Sequence, residues 1–173
     1  LSKDKNAAFE FCEAEYYLAY KDGKLVGRVA AIINHRYNEQ WGCQSVRFGW
    51  LDLINDMDVL KALLKTVEDY GRKKGMKDII GPLGFTDMNP EGMLYYGNDP
   101  LGTMATGYNY RYYFDLMEQM EGYEKDNDYV EWKLWVPKDG MPEKFKRVAE
   151  MTMEHYNLHV PKLKRSQVFG PEQ

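Results

Sequence analysis

Apolar and polar residues alternate along the first third of the chain in a way that predicts β-strands. Two such runs, Ala14–Lys21 and Lys24–Asn34, flank Asp22-Gly23, a dipeptide that favours the tight turn of a β-hairpin. A third strand is predicted over Val46–Ile54 and a short one over Asp78–Gly81. The chain is therefore expected to form an antiparallel hairpin followed by two further strands.

Helical periodicity appears in three places. The apolar spacing predicts a helix over Met57–Lys74, which Asn55 or Asp56 can cap. Further helices are predicted over Tyr110–Met120 and from Pro142 onward, because proline suits a first helical turn. The last helix is expected to bury one face, made of Phe145, Val148, Ala149, Thr152 and Tyr156.

Two other segments stand out. Tyr129–Val136 alternates apolar and charged residues, which predicts a strand with Val130, Trp132, Leu134 and Val136 on one face. Pro82–Gly107 has no period but is rich in aromatic residues and methionine. Loops of this length are usually functional or flexible. We expect this one to pack down onto the rest of the chain, either as the wall of a cleft that contacts substrate or as an irregular cover over the core.

Composition excludes several classes of protein. A chain of 173 residues can bury a proper core, and its formal charge of −4 offers no basic surface for nucleic acid. No apolar run reaches the ~18 residues of a membrane span, so no membrane partner is expected. Cys12 and Cys43 are too few for a disulfide framework, which favours the reducing cytoplasm.

Three segments in order resemble a family of bacterial GNAT-like proteins, whose members resemble N-acyltransferases and often carry two such halves in tandem. The segments are EAEYYLAYKDGKLVGRVAAIINHRYNE, GMKDIIGPLGFTDMNPEG and YNYRYYFDLMEQMEGYEKDNDYVEW. The resemblance implies an α+β fold with a mixed, largely antiparallel sheet flanked by helices. It also implies that the opening strand and helix of that fold are lacking. Residues 1–137 would form the GNAT-like domain, and residues 138–173 a linker helix and tail leading toward a second half.

The resemblance implies acyl transfer from acetyl-CoA or another acyl-CoA to a small amine, without a metal. The alternative is a non-catalytic GNAT-like half that binds a ligand or supports a partner half. Self-association, or packing against a second half, is expected in either case.

The resemblance also indicates where the acyl donor would lie. Backbone groups of Leu51, Leu53 and Ile54 would pair with its pantetheine arm and polarise the thioester. The glycine-rich turn that should hold the pyrophosphate is absent, and Asp56 and Asp58 occupy its place. Carboxylates there repel an anion, unless they serve only to cap the helix. We therefore expect acetyl-CoA to bind weakly or not at all.

Two residues are candidates for proton transfer. Asp52 lies on the third predicted strand, where the cleft should open, and His35 follows the end of the second. The simpler interpretations are an outward-facing polar residue and a capping residue. His155 and His159 have the i,i+4 spacing of a metal pair but no third ligand, so no metal is expected.

Four residues are candidates for contacting the substrate: Asn89, Tyr95, Tyr108 and Asn109. Asn109 could instead cap the helix that follows it. The neighbouring tyrosines could line the same pocket, although helical spacing favours a core position for Tyr113.

Overall fold

The computed structural model describes residues 3–98, 102–103 and 107–162. The chain divides into two compact units, a first unit of Leu1–Tyr129 and a second unit of Val130–Gln173. The assignment of residues 1–137 to a GNAT-like domain and of residues 138–173 to a linker and tail stays a prediction.

The first unit is built on a four-stranded sheet with the strand order β1-β2-β3-β4. Its strands are β1 (Cys12–Lys21), β2 (Lys24–Asn34), β3 (Ser45–Leu53) and β4 (Asp78–Ile80). β2 is antiparallel to β1 and to β3, whereas β3 and β4 run parallel. The predicted mixed, largely antiparallel sheet is confirmed.

Helices precede, connect and follow these strands. A short 3-10 helix (Ala7–Glu10) leads into β1, α1 (His35–Trp41) follows β2, and α2 (Met57–Lys73) joins β3 to β4. α3 (Arg111–Met117) follows the long loop, and α4 (Glu143–His155) belongs to the second unit. The α+β class is thereby confirmed, although the sequence pattern did not predict α1.

The turn between β1 and β2 has the geometry that its sequence predicts. Asp22 and Gly23 have φ values of 51° and 74°. Both values are positive, as the hairpin turns favoured by an Asp-Gly pair require.

The main core lies between one face of the sheet and the helices α2 and α3. Successive side chains of β2 and β3 point to opposite faces of the sheet, so every second residue faces α2. The side of α2 that packs on them is a continuous apolar stripe. Its buried members are Val29, Ala31, Ile33, Val46, Phe48, Leu53, Val59, Leu60, Leu63, Leu64, Val67, Tyr113 and Leu116.

The opposite face of the sheet carries a smaller core around Phe85, a residue of the long loop. Phe85 is 1% exposed, and its ring lies 5.0 Å from that of Phe9 and 5.1 Å from that of Trp50. Its carbonyl oxygen accepts hydrogen bonds from Arg47 Nη1 at 3.2 Å and from Asn34 Nδ2 at 2.9 Å. The expectation that the loop packs down is therefore confirmed for this part of it.

Arg47 is a buried cation in this second core. Its side chain is 6% exposed, and Nη1 also donates to the carbonyl oxygen of Gly84 at 3.0 Å. The guanidinium stacks on the ring of Tyr37, 4.5 Å from its centroid. Its Nε has no partner among the described residues.

The predicted strand over Tyr129–Val136 is wrong: the structure describes this segment without secondary structure and exposed. Alternation indicates a preference for a pleated surface, but a strand also needs a neighbour for its backbone groups. The face of α4 predicted to be buried is likewise exposed: Phe145, Val148, Ala149, Thr152 and Tyr156. Within the second unit, residues 130–162 bury none of their side chains.

The contact between α2 and β3 generates a prediction. Alanine ordinarily stabilises a helix interior over glycine by roughly 0.5–1 kcal/mol. A Cβ added at Gly71 would lie 2.6 Å from Cγ1 of Val46, a buried residue. We therefore expect Gly71→Ala to lower the free energy of unfolding by about 1–3 kcal/mol, the usual cost of overpacking, as measured in urea.

Val46→Ala provides the control, because it removes the methyl group that the new Cβ would meet. In the Val46→Ala background, Gly71→Ala should cost little or should stabilise. A Gly71→Ala protein more stable than the wild type would contradict the close packing described here.

The two thiols should also differ in reactivity. Burial raises the pKa of Cys12 to about 11, whereas Cys43 is only partly buried. Because the thiolate is the reactive form, a thiol reagent at pH 8 should modify Cys43 first and Cys12 only after unfolding. Cys43→Ser should remove the fast phase of labelling. Rapid labelling of that variant would show that Cys12 is accessible.

Candidate functional site

β3 contains a bulge close to its end. Ala30 pairs with Gly49 and Arg28 pairs with Asp52, so β3 has one residue more than β2 between these pairs. Within the bulge, Trp50 has a φ of 46°, which is uncommon for any residue except glycine. Bulges of this kind redirect side chains and occur often beside active sites. Here the bulge determines the position of Asp52.

The edge of β3 that faces away from β2 is only partly covered by β4. β4 ends opposite Arg47, so the rest of β3 extends beyond it. The chain after β4 stays alongside for a short distance, where the backbone N–H of Leu83 donates to the carbonyl oxygen of Phe48 at 2.9 Å. The end of β3, from Gly49 to Leu53, is therefore not paired with β4.

Tyrosine hydroxyls from α3 occupy that edge at Leu53. The backbone N–H of Leu53 donates to the Tyr113 hydroxyl at 3.2 Å, and the Tyr112 hydroxyl donates to the Leu53 carbonyl oxygen at 2.7 Å. The backbone N–H of Ile54 donates to Val26 at 3.0 Å. A role for Leu51, Leu53 and Ile54 in binding the donor stays a prediction, and at Leu53 it would require these tyrosines to move.

Asp52 lies at the centre of this arrangement. The Tyr113 hydroxyl donates a hydrogen bond to Asp52 Oδ1, and Arg28 Nη2 lies 3.7 Å from Oδ2. Burial, and then the hydrogen bond to Asp52, raise the pKa of the Tyr113 hydroxyl above its usual range. Tyr113 therefore remains a hydrogen-bond donor that orients the carboxylate, while the side chain of Asp52 stays 58% exposed.

His35, the other candidate for proton transfer, lies at the opposite end of the sheet. It follows Asn34 at the end of β2, whereas Asp52 pairs with Arg28 near the start of that strand. This spacing along a strand corresponds to roughly 20 Å. His35 Nε2 lies 2.9 Å from Glu13 Oε1, and the structure does not bring it together with Asp52.

Three tyrosine rings at the start of α3 contact one another in turn, and we call them the tyrosine ladder: Tyr108, Tyr110 and Tyr112. Tyr108 and Tyr110 meet edge-to-face, whereas Tyr110 and Tyr112 are stacked. The ring centroids are 5.9 Å apart for the first pair and 5.7 Å apart for the second. The ring of Tyr112 in turn lies 4.9 Å from that of Tyr113, which contacts Asp52. Tyr108 and Tyr110 are 64% and 61% exposed.

The two asparagines predicted to contact substrate hold the loop together. Asn89 Oδ1 accepts from the backbone N–H of Phe85 at 2.9 Å. Asn109 Oδ1 accepts from the backbone N–H of Leu94 at 2.7 Å, and its Nδ2 donates to the Leu94 carbonyl oxygen at 3.1 Å. The alternative that Asn109 caps α3 is wrong, because Tyr110 occupies that position.

Tyr95, the remaining substrate candidate, lies against α3. Its ring stacks on that of Phe114 at 5.2 Å, and its carbonyl oxygen accepts from Arg111 Nη1 at 2.9 Å. Tyr95 and Tyr108 thus both lie near the start of α3, and their contact with a substrate stays a prediction.

The start of α2 was the expected site of the donor's pyrophosphate, and its residues do not fit that group. Asp56 Oδ1 accepts from the backbone N–H groups of Asp58 at 2.9 Å and Val59 at 3.4 Å, which confirms Asp56 as the cap. Lys21 Nζ lies 2.7 Å from Asp56 Oδ2, and this hydrogen bond lowers the pKa of Asp56. The donors and the cation that a phosphate would use are therefore already engaged.

Sequence reasoning missed two parts of this site. Arg28 was not singled out, and for Tyr113 a core position was favoured over a place in a pocket. A usable signal did exist for Tyr113, because a buried tyrosine hydroxyl needs a hydrogen-bond partner. The pairing of Arg28 with Asp52 depends on the bulge, which the alternation of residues does not reveal.

Within the part of the chain that the structure describes, no cluster of three or more His, Cys, Asp or Glu residues could hold a metal ion. Among the described helices, none is both long and apolar enough to cross a membrane.

The cap of α2 generates a prediction about nucleotide binding. Asp56→Gly should free two backbone N–H groups and Lys21, and should tighten binding of coenzyme A by about tenfold through charge and hydrogen bonding. Asp22→Gly is the matched control, since it removes one nearby negative charge at a position with positive φ. Calorimetry showing equal effects of the two variants, or none, would contradict this explanation.

No family model matches the chain, and no solved structure matches it. The chain is similar to Protein YghO of Escherichia coli, at 29% identity over 128 residues, which are 74% of this chain and 33% of that protein. It is also similar to the bacterial ceramide synthase of Caulobacter vibrioides, at 27% identity over 134 residues, which are 77% of this chain and 35% of that enzyme. The chain thus spans about a third of the length of these curated relatives.

Proposed function

We propose that this chain belongs to an N-acyltransferase that joins an acyl group to an amine, and that Asp52 receives the proton that the amine loses. One observation carries the proposal: the bulge in β3 presents an exposed carboxylate, oriented by Tyr113, at the partly uncovered edge of the sheet. Bulges at a strand edge and oriented carboxylates are both frequent in active sites.

Two observations support this reaction class. The segments that resemble GNAT-like proteins include β1, β2, the start of the long loop and α3. One relative is named a ceramide synthase, and a ceramide is an amide formed from a fatty acid and an amino alcohol. Both observations indicate acyl transfer to nitrogen.

The residues around Asp52 suit the handling of an ammonium group. A protonated amine cannot attack a carbonyl carbon, so it must first transfer a proton to a base. In the proposed reaction Asp52 binds the ammonium and accepts this proton. The new bond between nitrogen and carbon then forms as the bond from the carbonyl carbon to the leaving group breaks. Tyr113 contributes by holding the carboxylate in place.

The start of α2 constrains where an acyl donor can bind. Acyl-CoA is the donor that the family resemblance implies, yet the start of α2 does not fit its pyrophosphate. We therefore assign no residue of α2 to the donor. If coenzyme A carries the acyl group, its phosphates bind elsewhere.

A second candidate function is favoured by the same residues. The Tyr112 and Tyr113 hydroxyls already bind the backbone C=O and N–H groups of Leu53. At the start of α2, Asp56 caps the helix and is paired with Lys21. A non-catalytic GNAT-like half, which binds a ligand or packs against a partner half, would tolerate both features.

Activity assays separate the two candidates. Purified protein is incubated with long-chain acyl-CoA and a panel of primary amines, and amide products are detected by mass spectrometry. Asp52→Asn should lower kcat by about 10²–10⁴-fold, the range for loss of a general base. Asp87→Asn, a change at an exposed loop position, is the control and should leave kcat unchanged.

Two results would overturn the acyltransferase proposal. The first is the absence of any amide across the panel, which would favour the non-catalytic half. The second is an unchanged kcat in Asp52→Asn, which would place the base at another residue.

A further inference from the structure

We propose that Arg28 and Asp52 together bind a small zwitterionic amine of the α-amino acid type, and that Arg28 determines this specificity. The ammonium group of the ligand would bind Asp52, and its carboxylate would bind the Arg28 guanidinium. This inference rests on the proposed function, because it names the class of amine that the site accepts.

The two charged groups lie opposite each other on neighbouring strands. Arg28 pairs directly with Asp52 just beyond the bulge, and Arg28 Nη2 lies 3.7 Å from Asp52 Oδ2. Standard bond lengths place the nitrogen of an α-amino acid roughly 3 Å from an oxygen of its own carboxylate. The charges of the protein and those of the ligand therefore have similar spacing, so both contacts can form at once.

The existing contact between Arg28 and Asp52 leaves both side chains available to a ligand. At 3.7 Å the two groups are too far apart for a hydrogen bond, and Asp52 Oδ1 is held by Tyr113. The side chains of Arg28 and Asp52 are 59% and 58% exposed, and exposed ion pairs of this kind contribute little free energy. A ligand can therefore separate them at small cost.

The net charge of the pair favours a zwitterion over a simple amine. A ligand with only an ammonium group is attracted by Asp52 but repelled by Arg28 at a similar distance. A zwitterion instead meets an opposite charge at each end. The guanidinium also suits a carboxylate in particular, because the two groups form paired, charge-assisted hydrogen bonds.

Lys21, another cation of the same hairpin, is not available to a ligand carboxylate in this way. Its Nζ lies 2.7 Å from Asp56 Oδ2, and this hydrogen bond raises the pKa of Lys21. Arg28, by contrast, pairs with the apolar Leu18 on one side and with Asp52 on the other. Arg28 is therefore the cation that we assign to the ligand's anionic group.

The site can be tested by direct binding to the full chain, without any acyl donor. Calorimetry compares alanine with ethylamine, which lacks the carboxylate, and with propionate, which lacks the ammonium group. Alanine should bind at least about tenfold more tightly than either, because charge-assisted hydrogen bonds form at both of its ends.

Four variants locate the two ends of the ligand. Arg28→Gln should weaken binding of alanine and propionate about tenfold, whereas ethylamine should bind no more weakly than before. Arg28→Lys should retain part of the affinity for alanine, because it keeps the charge but loses the planar donor pair. Asp52→Asn should weaken alanine and ethylamine but not propionate. Lys24→Gln, which removes one positive charge at an exposed position of the same strand, is the matched control.

Several outcomes would overturn the inference. Absence of alanine binding, or equal binding of alanine and ethylamine, would remove the role of the carboxylate. Unchanged alanine binding in Arg28→Gln would show that Arg28 does not contact the ligand. An equal loss of affinity in Lys24→Gln would show that the effect of Arg28 is one of overall charge.

The result is distinguishable from failure of the proposed function. Alanine binding with the expected response of each variant, but without amide formation, would retain this site and reject the acyltransferase. If amides do form, Arg28→Gln should raise the KM for alanine about tenfold, while the KM for ethylamine does not rise. Amide formation from ethylamine and alanine alike, with the same KM values in Arg28→Gln, would retain the acyltransferase and reject the role of Arg28.

Discussion

The backbone N–H and C=O groups along the outer edge of β3 must find partners, because polar groups left unpaired near a core are costly. β4 is too short to supply them all, since it pairs only as far as Arg47. The chain after β4 supplies one partner at Phe48, and the tyrosines of α3 supply two more at Leu53. Satisfying this edge therefore fixes both the path of the long loop and the position of α3.

The same constraint explains why a carboxylate, a phenol and an aromatic surface meet at one place. Tyr113 reaches β3 to satisfy Leu53, and its hydroxyl then orients the Asp52 carboxylate that the bulge presents. Tyr112 is fixed in the same way, and its ring stacks on that of Tyr110. The side chains that satisfy this edge of the sheet are thus also those of the proposed site.

Much of the first unit could be predicted from sequence, because period-two alternation, the Asp-Gly turn and the stripe of α2 are local signals. The position of Asp52 could not be predicted in this way, because a bulge changes the strand register without changing the composition. The capping role considered for Asn109 was wrong because its amide pairs with Leu94, which is distant in sequence. Tyr129–Val136 shows the opposite error. Its strong local alternation predicted a strand, but the structure gives this segment no neighbouring strand to pair with.

The buried guanidinium of Arg47 has a consequence for how the first unit unfolds. Its acceptors are the carbonyl oxygens of Gly84 and Phe85, so the loop supplies the solvation that a buried cation requires. If this part of the loop detached alone, the charge would remain in an apolar site without those acceptors. Loop and sheet are thereby joined into one cooperative unit, in which an irregular segment should open only together with the strands beneath it.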